Sequence, residues 1–242
     1  MNNIYWLEQS ATDVPQSNDW LAKTELARLH RLRVPKRRAE WRLGRWTAKR
    51  AAAAYLNLPA DPEMLAAIEI RQAATGAPEV FLGNQPADLT ISLGHRAGVA
   101  ACVVGAPGAV LGCDLEIAEP RSEAFIADYF TADEQELIAA ASPAHRDRIA
   151  ALLWSAKESA LKALQEGLRL DTRSVVAQPA QLPSEDDEGD YWRPLQVRHT
   201  GGKVFYGWWQ NTGGFLRTLV AAAAPPPPVA LNRASSSEEE AA

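Results

Sequence analysis

Between Arg146 and Gln165 no glycine or proline breaks the chain, and Ile149, Leu152, Leu153, Ala156, Ala160, Ala163 and Leu164 recur at helical spacing. A helix of that length carries an apolar face that some other layer must cover, which constrains every other element of the fold. Glu158 and Lys162, four residues apart, stack on a face nearly opposite the Ile149/Leu153/Ala160 stripe. A solvated ion pair is the common reading of such a pair and is worth a few tenths of a kcal/mol. Trp154 and Leu161 flank the same side, however, and a wholly solvated helix back needs neither, so a second surface is expected there.

Around this helix the chain alternates helical and strand-like segments. Residues from about Trp20 to Leu56 read as helical, with Pro35 interrupting the run and Pro59 ending it. Short apolar runs near Ile68–Arg71 and Val80–Leu82 suit strands, with Gly76-Ala77-Pro78 turning between them. Gly98–Val104 and Val110–Ile117 read as a hairpin joined by Gly105-Ala106-Pro107-Gly108. Thr131 to about Ala141 opens with the spacing of a capping box, and strands are expected near Trp192–His199, Val204–Gln210 and Leu216–Ala222. The order helix, strands, helix, strands predicts two α+β lobes meeting near Gly105–Gly112. From Pro225 onward, four prolines and a Ser/Glu-rich end predict a disordered tail.

Charge is distributed unevenly. The net charge is -5, yet Arg28 to Arg50 holds ten Lys or Arg residues and a single acid, Glu40. Acids gather at Glu185-Asp186-Asp187-Glu188-Gly189-Asp190 and Glu238-Glu239-Glu240. A basic segment in an acidic protein points to a local anionic ligand more than to general nucleic-acid binding. No apolar stretch approaches the roughly 18 residues of a membrane span, and the N-terminus lacks the pattern of a signal peptide. Cys102 and Cys113 read as reduced, buried thiols rather than a disulfide framework, which points to the cytoplasm.

Two further patterns carry chemistry. In Gly112-Cys113-Asp114-Leu115-Glu116, strand alternation puts both carboxylates on one side and Cys113 and Leu115 on the other. Paired acids repel unless a cation lies between them, and a few hard oxygen ligands suit Mg²⁺. A solvent-facing strand edge explains two such acids as well, and the short pattern alone favours it. In Thr90-Ile91-Ser92-Leu93-Gly94-His95-Arg96, His95 could donate to a phosphate where Gly94 admits close backbone approach. A lone turn histidine is more often structural.

Taken in order, Gly76-Ala77-Pro78, Ser92-Leu93-Gly94-His95, Gly112-Cys113-Asp114-Leu115-Glu116 and Trp154-Ser155-Ala156-Lys157-Glu158…Lys162 resemble the 4′-phosphopantetheinyl transferase superfamily. The resemblance is to its larger, two-lobed, single-chain type, which activates polyketide and peptide synthetase carriers. It covers about Arg28 to Val176, and the Asp-x-Glu strand and Trp-x-x-Lys-Glu-x-x-x-Lys helix are its most specific parts. Gly44-Arg45…Ala48-Lys49 and Gly167-Leu168-Arg169-Leu170 are similar to family segments as well. Ala77 departs from the usual Lys or Arg, so Arg71 or Arg96 is a candidate replacement cation. Gly94 departs from the usual Ser.

The resemblance implies two similar α+β lobes, residues 1–109 and 110–224, each a small antiparallel sheet packed with a long helix. They would be related by a pseudo-twofold axis, with 225–242 as the tail. It implies Asp114, Glu116 and Glu158 as ligands of Mg²⁺, with Mn²⁺ an alternative. Coenzyme A would be held by Lys36, Arg37, Arg45, Arg71, Gly76, Ser92, Gly94, His95, Lys157 and Lys162, with Glu158, Lys162 and His95 catalytic. The implied reaction moves 4′-phosphopantetheine from coenzyme A to a serine of an apo acyl or peptidyl carrier protein, releasing 3′,5′-ADP. The expected enzyme is a cytoplasmic monomer without nucleic-acid or membrane partners. A non-catalytic coenzyme A- or carrier-binding homologue, and a nucleic-acid module built on Arg28–Arg50, are the competing readings.

Overall fold

The computed structural model describes residues 3–166, 169–183 and 188–231. The N-terminal half forms β1 (Tyr5–Ser10), α1 (Lys23–Arg31), α2 (Pro35–Tyr55), α3 (Pro62–Ala67), β2 (Ile68–Gln72), β3 (Pro78–Leu82), β4 (Gln85–Pro86), β5 (Thr90–Arg96) and β6 (Val99–Gly105). The C-terminal half forms β7 (Leu111–Ile117), α4 (Glu123–Tyr129), α5 (Ala132–Ala140), α6 (Pro143–Ala163), β8 (Val175–Pro179), β9 (Gly189–His199), β10 (Val204–Thr212), β11 (Phe215–Ala221) and β12 (Val229–Ala230). The fold is mixed α+β. One sheet runs β12-β1-β6-β5, a second runs β7-β11-β10-β9-β8, and a small third runs β2-β3-β4.

Each large sheet receives one long helix. Ala48, Ala51 and Ala52 of α2 are fully buried in a core with Leu7, Ile91, Cys102 and Val104. Leu152, Leu153, Ala156 and Ala160 of α6 are fully buried in a core with Val175, Val197, Phe205 and Leu216. A third cluster, including Ile4, Val103, Leu111, Cys113 and Leu219, joins the two sheets. No described helix is long and apolar enough to cross a membrane.

From Ile149 onward the α6 helix has no solvated back. Ser155, Lys157 and Ser159 are as deeply buried as its apolar stripe. Polar groups tolerate burial only when hydrogen-bonded, and here the Ser155 and Ser159 hydroxyls meet Thr218 Oγ1 of β11 at 2.8 and 2.7 Å. The surface that covers Trp154 is α4 with the residue beyond it, whose Phe125, Tyr129 and Phe130 pack edge-on or tilted against the indole.

Two expectations fail here. Gly105–Gly108 is not a hairpin turn: β6 pairs with β5 and β1, while β7 pairs with β11. The true hairpin is β5–β6, turned at Ala97 and Gly98, both with positive φ (47° and 79°). Such a two-residue turn matches the strand twist, whereas the Pro-containing Gly105–Gly108 segment crosses between sheets. The tail, moreover, does not begin at Pro225. Pro225 and Pro228 are buried while Pro226 and Pro227 are exposed, the three-residue period of a polyproline helix with one face docked. Trp208 Nε1 donates to Pro225 O (3.1 Å), and β12 then pairs in parallel with β1. Residues 232–242, Gly167-Leu168 and most of the acidic run at 184–187 lie outside the described residues.

Candidate active site

The Asp-x-Glu strand is β7, buried in the interior. Asp114 and Glu116 are 8% and 9% exposed, and Cys113 and Leu115 fill the opposite face. Helix α6 crosses β7 at Gly112, where a Cβ would stand 1.9 Å from Ser159 O and 2.8 Å from Ala163 N. Only glycine permits that approach, and the approach delivers Lys162 to the strand. Its Nζ donates to Cys113 O (2.9 Å) and to Asp114 Oδ1 (2.7 Å). Strand β5 braces the other side. Cys113 N donates to Ser92 Oγ at 3.1 Å. A Cβ on Gly94 would meet Asp114 Cα at 2.9 Å. The usual family serine therefore has no room here unless β7 moves.

The acids feel one another. Burial first, then the Asp114 and Glu116 charges, pushes Glu158 up to about 6, with Lys162 opposing. Burial and Asp114 also raise Glu116, against the pull of Arg96 and Arg121. Arg121 Nη2 lies 3.0 Å and Arg96 Nε 3.4 Å from Glu116 Oε2. Burial works against the charged form of Lys162, but Asp114 beside it prevails and holds its pKa above the ordinary value. Two carboxylate oxygens, Asp114 Oδ2 and Glu158 Oε1, are buried without a hydrogen-bond partner. A buried acceptor left in that state costs roughly 1–3 kcal/mol, a cost that a bound cation would relieve. Among the described residues no three His, Cys, Asp or Glu side chains stand close enough together to form a closed ligand set. The donor chemistry therefore fits a cation held partly by protein and partly by substrate oxygens.

A cavity of about 810 Å³ reaches Lys162. Its cations come from different elements: Arg28 of α1, Arg45 of α2, Arg71 of β2 and Lys162 of α6, with His95 of β5 also on the wall. Arg45 rests over the Trp41 ring (5.0 Å) and stands 3.7 Å from Glu25, and burial lowers its pKa. Basic walls beside buried acids make a receptacle for a polyanion that arrives with a metal ion.

Residues 110–199 match the family model described as the 4′-phosphopantetheinyl transferase superfamily. The chain is also 26% identical over 196 residues to the 4′-phosphopantetheinyl transferase HetI of Nostoc sp. (strain PCC 7120), covering 79% of each chain. Both matches are to 4′-phosphopantetheinyl transferases, and the residues matched by the family model include β7 and α6, which carry Asp114, Glu116, Glu158 and Lys162.

The sequence-derived site divides. Arg45, Arg71, Gly76, Ser92, His95 and Lys162 line the cavity. Gly94 lies behind that wall, against β7. Lys36 and Arg37 are exposed and away from the cavity lining; Lys36 faces Glu40 at 3.9 Å. Pro35 starts α2 at the corner after α1, which turns their side chains outward.

Lys157 is also off the cavity. It is fully buried, donating to Glu134 (2.7 Å), Thr172 O (3.1 Å) and Val175 O (2.6 Å). Its helical position, one residue before Glu158, rotates it by about 100° around α6 and toward Glu134, Thr172 and Val175. Arg96 is not on the cavity wall, where Arg71 is, and it turns instead to Glu116 and Glu119. Sequence reasoning passed over Arg28 and Arg121. The first was visible as part of the basic segment, while the second is linked to Glu116 only by the chain's return after β7.

Proposed function

We propose that this transferase moves 4′-phosphopantetheine from coenzyme A to a serine hydroxyl of an apo-carrier protein, with 3′,5′-ADP leaving. The observation that carries this reading is the pair of unpartnered buried oxygens, Asp114 Oδ2 and Glu158 Oε1, beside a cation-lined cavity. Neither a nucleic-acid module nor a passive binder requires buried acids in that state.

Arg28, Arg45 and Arg71 would hold the phosphates of coenzyme A at the nucleotide end, and His95 and Lys162 would donate to its pyrophosphate oxygens. Asp114 and Glu158 would hold Mg²⁺ together with those oxygens, and Glu116, which is paired with Arg96 and Arg121, would join them by giving up that pairing. When bound, the ion neutralises charge that grows on the phosphate and the leaving oxygen. The serine oxygen forms a bond to the phosphorus that bears pantetheine. The bond from that phosphorus to the bridging oxygen of 3′,5′-ADP breaks, and the electron pair leaves with the nucleotide. Glu158, which burial and the neighbouring acids raise to about 6 in the metal-free site, is the side chain placed to accept the serine proton. Lys162, kept protonated by Asp114, adds a fixed positive charge where the transition state needs it.

The same reading extends to architecture and setting. Two lobes, 1–109 and 110–224, related by a pseudo-twofold axis, find support in a repeated contact. Lys49 and Lys157 stand at the same position in two 21-residue helices. Each meets a glutamate that caps the preceding helix, Glu25 or Glu134, at 2.5 and 2.7 Å. Cys102 and Cys113 are buried free thiols, and burial lifts Cys113 to about 11. Inert thiols of this kind suit the cytoplasm, where the enzyme would act as a monomer.

The test is an apo-carrier panel incubated with coenzyme A and Mg²⁺ and followed by intact mass. Addition of one phosphopantetheine arm to at least one carrier is expected. No gain across the panel, with coenzyme A still bound, would leave the passive binder as the correct account.

A further inference from the structure

The turn between β2 and β3 closes on itself, with Gly76 N donating to Ala73 O and Ala73 N to Ala77 O, both at 2.9 Å. Thr75, Gly76 and Ala77 form one part of the cavity wall, and Gln165, just beyond α6, forms another. Ala77 offers no side chain to grip a ligand, so this turn contributes shape and backbone, and both depend on where the turn is held.

Two side chains bridge the gap. Thr75 Oγ1 donates to Gln165 Oε1 at 3.3 Å. Arg169 Nη2 donates to Thr75 O at 3.0 Å and to Gln165 O at 2.9 Å, while its Nε donates to Glu166 O at 3.0 Å. One guanidinium thus joins three carbonyls, two after the end of α6 and one on the opposite turn. A planar fork of donors can do this where a lysine could not. Carbonyls at a helix C-terminus, partly negative and short of partners, favour a cation there.

We propose that Arg169 is a positioning residue for coenzyme A. It clasps the Thr75–Ala77 turn to the end of α6, the helix that carries Glu158 and Lys162, and so sets the cavity's width relative to the reacting groups. The inference rests on the coenzyme A reading of the cavity. Arg169 itself is 59% exposed in its side chain, so its removal leaves the cores intact.

Coenzyme A affinity is measured by calorimetry on the full chain, and KM and kcat by the mass-shift assay. Arg169→Ala is expected to weaken coenzyme A binding and raise its KM by roughly five- to tenfold, with kcat and the KM for carrier changed less than about twofold. Thr75→Val, which removes the side-chain crossing to Gln165 and the long Ala77 N–Thr75 Oγ1 contact within the turn but leaves the Arg169 bonds, is expected to raise the coenzyme A KM by about twofold. Unaltered coenzyme A affinity in Arg169→Ala, beside normal binding by the wild type, would overturn the clasp alone. A fall in kcat with KM retained would overturn it too. Failure of the wild type to bind coenzyme A would overturn the functional reading and the clasp together.

Discussion

Lys162 holds one oxygen of Asp114 and leaves the other bare: Nζ lies 2.7 Å from Oδ1, while Oδ2 is buried with no partner. The ammonium neutralises part of the cluster without filling it. One strand acid is therefore tied to the helix that supplies Glu158, and the free oxygens remain for a cation and a polyanionic substrate.

Asp114→Asn and Glu158→Gln should each lower turnover by at least about a hundredfold, the usual scale for a lost acid-base or charge-stabilising group. Both should retain wild-type circular dichroism. The check is carrier loading followed by mass, and near-normal turnover in either variant would remove that residue from the mechanism.

Glu158 binds its proton more tightly in the folded chain, at about 6, than in the unfolded one. The native state therefore holds more protons across the window from about pH 4.5 to 6, and its stability falls as pH rises through that window. Denaturant melts of metal-free protein at several pH values should show this slope, superimposed on other groups. Glu158→Gln should flatten it and raise stability at pH 7, even as activity disappears.

Gly112→Ala sets a methyl group against Ser159 O and Ala163 N. Backbone cannot yield as a side chain can, so α6 must lift from β7. A stability loss of roughly 1–3 kcal/mol is expected, with kcat falling at temperatures where the variant is folded, because Lys162 no longer reaches Asp114. Urea titration and carrier loading, measured on the same samples, read both effects.

Lys157→Met should act on stability alone. It strands Glu134 in the interior, a change that typically costs about 3–5 kcal/mol, although Glu134 still accepts from Thr131 N and Ala177 N. The KM for coenzyme A at low temperature should remain within about twofold of wild type. A tenfold rise would return Lys157 to the binding site.

Truncation after Ala224 removes the Trp208–Pro225 contact and the Val229–Ile4 and Leu231–Trp6 backbone bonds. The expected loss is about 2–4 kcal/mol, visible as a lower melting temperature. The bidentate Glu8–Arg217 pair between β1 and β11 remains to join the sheets. An unchanged melting temperature would show that the strap adds nothing.

The amino-acid sequence by itself determined the local elements and the chemistry they could carry. Periodicity marked α6 within a few residues of its start, and strand alternation put Asp114 and Glu116 on one side of β7. The Thr131–Glu134 capping box appeared where the spacing predicted it. Which strand pairs with which was decided only in three dimensions, since Gly105–Gly108 has turn residues whether it closes a hairpin or crosses between sheets. Tertiary packing also separated Lys157, enclosed by three acceptors, from Lys162 five residues later at the cavity, and left Lys36 and Arg37 in solvent. Side-chain type and spacing are properties of the chain, whereas burial and partnership belong to the assembled layers, because water is excluded only where distant segments meet.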